Sequence, residues 1–385
     1  MQKFYPYKVK DALSLAADAG TERITLPHDG QATALDLIFN ADNGTTANLN
    51  NIIPYNITKV DLVGDGVDHF LTLDGYALWK VLWLLHGKRP DGRYTEMPNT
   101  DQRTVYRFLF GRFMNDPEYL LNLNKYSEIS LDVTYNLAAV NPVSATDGFI
   151  SGSGEIDVTL HKTLPGVTMP TKGCRRIIER KSVTSVASGD IEWSFVQDYP
   201  YLGLFVYNRL AGTDANSVLT NIKLDMGGGK PVLYDFNWRE LERYNNELMQ
   251  PDCEYYANYY KQHGDYIETH VGLIAQCNPI HYAWGVPGTN SMIYVTPGTA
   301  VGDKVRLVMA ALDPVSSVPT PAGLTWVRAR TLGYSVGNLV YLPLADYPEF
   351  TNALAPADVK DAILRLTQGM AGATLKVISD QIMPQ

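Results

Sequence analysis

Two glycine turns are the first candidates for chemistry. "VGDGVD" spans 63–68 and "MGGGKP" spans 226–231, and glycine-rich loops often cradle phosphate. A P-loop requires GxxxxGK followed by Ser or Thr, whose hydroxyl reaches the metal. Here Lys230 is followed by Pro231, and Leu224 stands where the first glycine should be. A dinucleotide fingerprint places its glycines between a strand and a helix, so that amides at the helix start face the pyrophosphate. These glycines lie between two apolar-alternating segments instead. They read as hairpin turns in which glycine supplies a positive φ, which makes Gly64, Gly66, Gly227 and Gly229 structural residues.

Other reactive groups are dispersed. Asp61, Asp65 and Asp68 could hold calcium through oxygen ligands, but a solvated hairpin rim accounts for them as well and is the favoured reading. Calcium is the only cofactor the sequence suggests. Of the seven histidines, His270 and His281 flank Cys277. Asn278 and Pro279 break any helix that could bring Cys277 and His281 to one face, so a zinc site is not expected. No HExxH or GxSxG occurs. Cys174, Cys253 and Cys277 show no CxxC spacing, and an odd count argues against a disulfide framework.

The elements that carry the glycines repeat. "VDLVGDGVDHFLTLDGYALW" (60–79) and "IKLDMGGGKPVLYDFNWREL" (222–241) both read as strand, turn, strand and helix. Val60 and Leu62 match Ile222 and Leu224. Phe70, Leu73, Asp74 and Leu78 match Leu233, Phe236, Asn237 and Leu241, with one residue more placed in the second turn. Asp74 and Asn237 are helix N-caps, and Glu240 completes a capping box with Asn237. The first helix is apolar nearly all round and therefore buried. The second has a narrower stripe and a charged back.

Period-two alternation dominates the rest. "SEISLDVTYNL" places Ile129, Leu131, Val133, Tyr135 and Leu137 on one face, and "GEIDVTLHK" places Ile156, Val158 and Leu160. After the second helix, "THVGLIAQC", "DKVRLVMAALD" and "LTWVRARTL" read as counterparts of "RTVYRFLFGRF", "SEISLDVTYNL" and "GEIDVTLHK". The chain is thus predicted to be all-β with short inserted helices, as two β-sandwiches at 20–170 and 173–345 divided by "LPGVTMPTKG". Residues 1–19 form an N-terminal arm. Residues 346–385 form a helical extension, in which Ala362, Ile363 and Leu366 line one side of a short amphipathic helix. The 385 residues are 45% hydrophobic with a net charge of −9, which argues against a broad nucleic-acid surface. No run approaches the roughly 18 apolar residues of a membrane span.

Two fused sandwiches, each with one helix after its glycine hairpin, resemble the double jelly-roll major capsid proteins of tailless icosahedral bacterial viruses of the corticovirus and tectivirus type. The resemblance rests on the paired units at 60–79 and 222–241 and covers most of the chain. It implies a structural protein without a catalytic site. It further implies homotrimers that imitate hexagons and pack laterally into a virion shell with partners such as a vertex protein. In such proteins the N-terminus tends to face an internal viral membrane, a role that "MQKFYPYKVKDALSLAADAG" would fit through Lys3, Lys8 and Lys10. No sequence-specific nucleic acid is implied. The alternative is a carbohydrate-binding or glycoside-hydrolysing β-sandwich protein, such as a receptor-binding spike, using Trp193, Trp284 and Trp326 for sugar stacking.

Overall fold

The computed structural model describes residues 3–45, 48, 51–94, 99–138, 148–210, 213–251, 253–260, 267–271, 280–285, 291–297, 305–312, 319–320, 326–333 and 336–385, with the backbone path alone within 253–333. Eight strands of six or more residues build the first sandwich: β1 (Phe4–Ser14), β2 (Ala19–Leu26), β3 (Gln31–Asp42), β4 (Ile57–Gly64), β5 (Asp68–Leu73), β6 (Asp101–Leu109), β7 (Ile129–Asn136) and β8 (Glu155–Thr163), with two-residue strands Gly92–Arg93 beside β6 and Leu121–Asn122 beside β3. They form sheets of order β1-β8-β3-β6 and β2-β7-β4-β5. Eight more strands follow: β9 (Cys174–Thr184), β10 (Gly189–Ser194), β11 (Tyr201–Arg209), β12 (Leu219–Asp225), β13 (Val232–Phe236), β14 (Leu339–Pro343), β15 (Ile363–Gln368) and β16 (Thr374–Met383). Their sheets run β9-β16-β11-β14 and β10-β15-β12-β13. Adding eight to each strand number of the first sandwich gives the second. This eight-stranded order is the jelly roll, and the chain contains it twice.

Alternation explains the layers. In β7, Ile129, Leu131, Val133 and Tyr135 are buried, and in β8 so are Ile156, Val158 and Leu160; they meet Leu35, Leu37 and Phe39 of β3 in the first core. The second core gathers Leu204 and Val206 of β11, Ile222 and Leu224 of β12, Leu364 and Leu366 of β15, and Leu375 and Val377 of β16. Helix α1 (Gly75–His86) follows β5, and α2 (Trp238–Met249) follows β13. Eleven α1 residues, Gly75 to Leu85, are buried, whereas α2 buries only Trp238, Leu241, Asn245 and Met249.

Three expectations need correction. Residues 346–385 are not a helical extension. Apart from the turn Pro356–Val359 they supply β15 and β16, each hydrogen-bonded on both sides within its sheet. Short apolar runs fit both periods; Ala362, Ile363 and Leu366 suggested a helix, but Leu364, Leu366 and Gln368 are the buried alternates. The described part of the expected arm at 1–19 is not an arm, because β1 pairs antiparallel with β8 along its length. Its pattern was obscured by Pro6 and lysines, which edge strands tolerate. The strands matched to the first copy after α2 are also different. Cys253–Tyr260, Trp326–Gly333 and Ile280–Gly285 form one sheet and Ile267–Val271, Val305–Leu312 and Ser291–Pro297 another, both inserted between α2 and β14. The counterparts of β6, β7 and β8 are β14, β15 and β16. Alternation identifies a strand but not the sheet it joins.

Removing residues 355–385 therefore deletes two interior strands. Truncation at 354 is expected to cut the strand signal in circular dichroism and abolish the cooperative unfolding transition; a spectrum like that of the full chain would contradict this pairing. Leu366→Ala in the full chain should cost about 2–5 kcal/mol in denaturant melts.

Candidate functional site

The glycine turns are the same turn twice. Val67 N–H donates to the Gly64 carbonyl at 3.1 Å, and Lys230 N–H to that of Gly227 at 2.8 Å. The central residues all have positive φ: Asp65 at 48° and Gly66 at 72°, Gly228 at 55° and Gly229 at 80°. Two consecutive left-handed residues are the requirement of a type I′ hairpin. The extra residue lies just before the second turn, where Asp225 and Met226 take the place of Val63. A Cβ on Gly227 would overlap the Asp361 backbone, and one on Gly64 the Tyr126 ring.

Two of the three aspartates serve different partners, and the third, Asp68, opens β5 opposite Gly64. Asp61 accepts from Lys59 Nζ at 2.6 Å and Thr72 Oγ1 at 2.7 Å and contacts His69 Nδ1 at 2.9 Å. Burial alone would raise its pKa, but these hydrogen bonds outweigh it and hold the carboxyl below the usual range. Asp65 instead accepts from the Ser127 and Glu128 amides at 2.9 and 3.0 Å, pinning the entry to β7. Among the described residues no group of three or more His, Cys, Asp or Glu is placed to hold a metal ion. The His270, Cys277 and His281 side chains lie outside the described residues, as do those of Trp284 and Trp326. Trp193 is 8% exposed and packs on Phe195 at 4.7 Å in the second core, so it presents no face to a sugar.

The caps do more than start helices. Asp74 accepts from Ala77 N–H at 2.8 Å, and Asn237 forms the full capping box with Glu240. The second oxygen of Asp74 reaches Lys376 of β16 at 2.6 Å, and Lys376 also pairs with Glu179 of β9. One carboxylate thus opens a helix of the first sandwich and ties it to the second. Burial would lower the Lys376 pKa, but the two carboxylates outweigh it and raise it.

This tie belongs to a larger joint, which the sequence did not disclose. β5 lies beside β9, parallel, with Leu71 opposite Ile177 and Thr72 opposite Ile178. The sheets β2-β7-β4-β5 and β9-β16-β11-β14 become one eight-stranded sheet. Helix α1 continues into the second sandwich: the Tyr76 ring meets Tyr207 of β11 edge-on at 6.3 Å, Lys80 donates to the Val336 carbonyl, and Tyr347 Oη donates to the Leu85 carbonyl at 3.1 Å. Lys80 is fully buried, with the Tyr76, Trp79 and Trp83 rings 5.3 to 5.6 Å away. Beneath α1, Arg175 of β9 grips Asp380 of β16 through two bonds of 2.8 and 2.5 Å, and Tyr341 Oη joins at 3.1 Å. Gly203 makes this reach feasible, since a Cβ on it would overlap the Tyr341 ring crossing β11.

Two jelly rolls fused in one chain define the double jelly-roll fold. The whole chain is similar to three solved structures that carry it. The major capsid protein of Sulfolobus turreted icosahedral virus aligns over 100% of this chain and 98% of its own, with 12% identity and a TM-score of 0.59. A structure of that virus aligns over 100% and 92%, with 11% identity and a TM-score of 0.58. The major capsid protein P2 of bacteriophage PM2 aligns over 99% and 98%, with 11% identity and a TM-score of 0.50. No family model and no curated protein matches the sequence.

Two substitutions probe the joint. Asp74→Asn keeps a good N-cap but loses the charge facing Lys376, whereas Asp74→Ala loses both. Thermal melts should show both variants destabilised, with Ala lower than Asn by about 1 kcal/mol. Equal losses would mean the cap contributes nothing. His86, in the last turn of α1, is pushed down to about 4 by burial and then by Arg175 and Arg107. A depressed pKa in the folded state gives stability that is full above the unfolded value of about 6.5 and is lost as pH falls through about 4. Denaturant midpoints should therefore fall between pH 7 and pH 4.5, with a shallower fall in His86→Gln. An unchanged slope in that variant would refute the assignment.

Proposed function

We propose that the chain is a viral major capsid protein, resident in the virion shell, whose homotrimers form pseudo-hexagonal tiles. The observation that carries this reading is the repetition of one jelly roll, strand for strand, in a single chain with a rigid joint between the copies. Three such chains present six equivalent sandwiches, so a threefold assembly can fill a sixfold position in an icosahedral lattice. The solved structures of like fold are capsid proteins over their full length, which favours the same role here.

Other features agree. The described interior is spent on packing: among the largest buried side chains, Trp79, Trp83, Tyr106 and Phe110 all belong to the first core. The charged clusters close on themselves, as Arg107, His161 and Asp36 do on the first sandwich. A membrane role for residues 1–20 has less support, because β1 is integral to the sandwich. Contacts with a vertex protein belong to the proposal.

Multi-angle light scattering of the purified chain tests the reading. The expected species has three times the 42.7 kDa chain mass at micromolar concentration. A monomer at high concentration would overturn it.

A further inference from the structure

β5 and β9 meet because each ends its own sheet: β5 the sheet β2-β7-β4-β5, β9 the sheet β9-β16-β11-β14. Their counterparts one sandwich further on are β13 and β1. Among the described residues both are edge strands, β13 beside β12 alone and β1 beside β8 alone. We propose that β13 of one chain docks beside β1 of the next copy in the same parallel manner, so that three chains close a ring of six sandwiches. This rests on the trimeric capsomer reading and names the surfaces that would carry it.

Three observations support the pairing. The first is the contrast between matched positions. Phe70 and Leu73 of β5 are 0% and 1% exposed, whereas their matches Leu233 and Phe236 of β13 are 43% and 39% exposed, with Val232 at 43% and Tyr244 of α2 at 39% nearby. The same positions are apolar in both copies, covered in one and bare in the other. A bare apolar edge strand invites non-specific pairing, so its retention fits a specific cover.

The second is the register. Cys174 opens the β9–β16 ladder opposite Met383, and Phe4 opens the β1–β8 ladder opposite Thr163. Aligning those starts matches Tyr7 to Ile177 and Lys8 to Ile178; the turn-based alignment matches Tyr234 to Leu71 and Asp235 to Thr72. Copying the intrachain pairs then sets Tyr7 against Tyr234 and Lys8 against Asp235. An aromatic pair and an opposite-charge pair result, with the Lys8 and Asp235 side chains 52% and 50% exposed. Lys8 now pairs with Asp11 and Asp157, and Asp235 with Asn221 and Lys223; these are surface contacts that can exchange at little cost.

The third is length. β1 is guarded by Pro6 and by register shifts between Lys8 and Lys10 and between Lys10 and Leu13. Such an edge cannot pair over a long stretch, and the intrachain joint needs only two residue pairs. A heterologous contact of this kind either closes a ring or grows a filament, and three chains give the six sandwiches of a closed tile.

Cross-linking tests this on the full chain. Lys8→Cys/Asp235→Cys and, to allow a two-residue slip that keeps the same face, Tyr7→Cys/Phe236→Cys are treated with a short bismaleimide. A covalent trimer on denaturing gels is expected from at least one pair, and none from the single variants or the parent. Light scattering runs in parallel. Native trimers that no pair can link would overturn this docking while leaving the capsomer reading intact; monomers throughout would overturn both, and ladders beyond trimer would overturn the closed ring. Charge reversal supplies a second readout that is safe for folding, because both side chains are half exposed. Lys8→Asp and Asp235→Lys should each weaken trimers about tenfold or more, and the double reversal should restore them. Absence of that rescue would argue against the register.

Discussion

The structure depends on a sheet that must bury both its faces. In β11, Leu204 and Val206 enter the second core, while Phe205 and Tyr207 point the other way into the first cluster. β16 does the same with Val377 and Ile378. A sandwich usually leaves the outer face of each sheet to water; this one cannot, and its cover is α1, supplied by the other half of the chain. Burying an apolar helix between two sheets gains about 25 cal/mol per Å² of apolar area removed from water, and neither sandwich can collect that gain alone.

Polar groups at this layer serve position more than strength. The Arg175–Asp380 pair is 5% and 0% exposed and fully hydrogen-bonded. Such pairs rarely add net stability over an apolar substitute, but breaking one partner is costly, on the order of 3–5 kcal/mol. Together with Lys80 on the Val336 carbonyl and Lys376 between Asp74 and Glu179, it fixes how the halves sit. In the proposed capsomer, halves free to rotate would not hold the edges of a tile in a lattice.

The two copies differ where their surroundings differ. α1 is apolar throughout because both its sides are covered; α2 keeps one stripe, and its Asn245 exchanges two hydrogen bonds of 2.7 Å with the Tyr341 backbone, sealing the open side of β14. Those roles were partly legible. Hydrophobic alternation revealed most strands of the first sandwich, and the hairpin, N-cap and helix of each copy stood out because local chemistry dictates them: glycine for positive φ, Asp or Asn for the cap. What stayed hidden is non-local. Nothing in "VRLVMAAL" says that it joins an inserted sheet, and nothing in "ILRLTQ" says that it is the strand that sheet appeared to supply. The joint of β5 with β9 and the Asp74–Lys376 pair link residues far apart in the chain, beyond the reach of any periodicity.

Electron microscopy of the purified protein tests the central claim most directly, that each chain contributes two of six equivalent sandwiches to one rigid tile. Class averages should show a near-hexagonal outline with six sandwich-sized lobes and threefold symmetry. Particles with two lobes, or three pairs of lobes at variable angles, would contradict it.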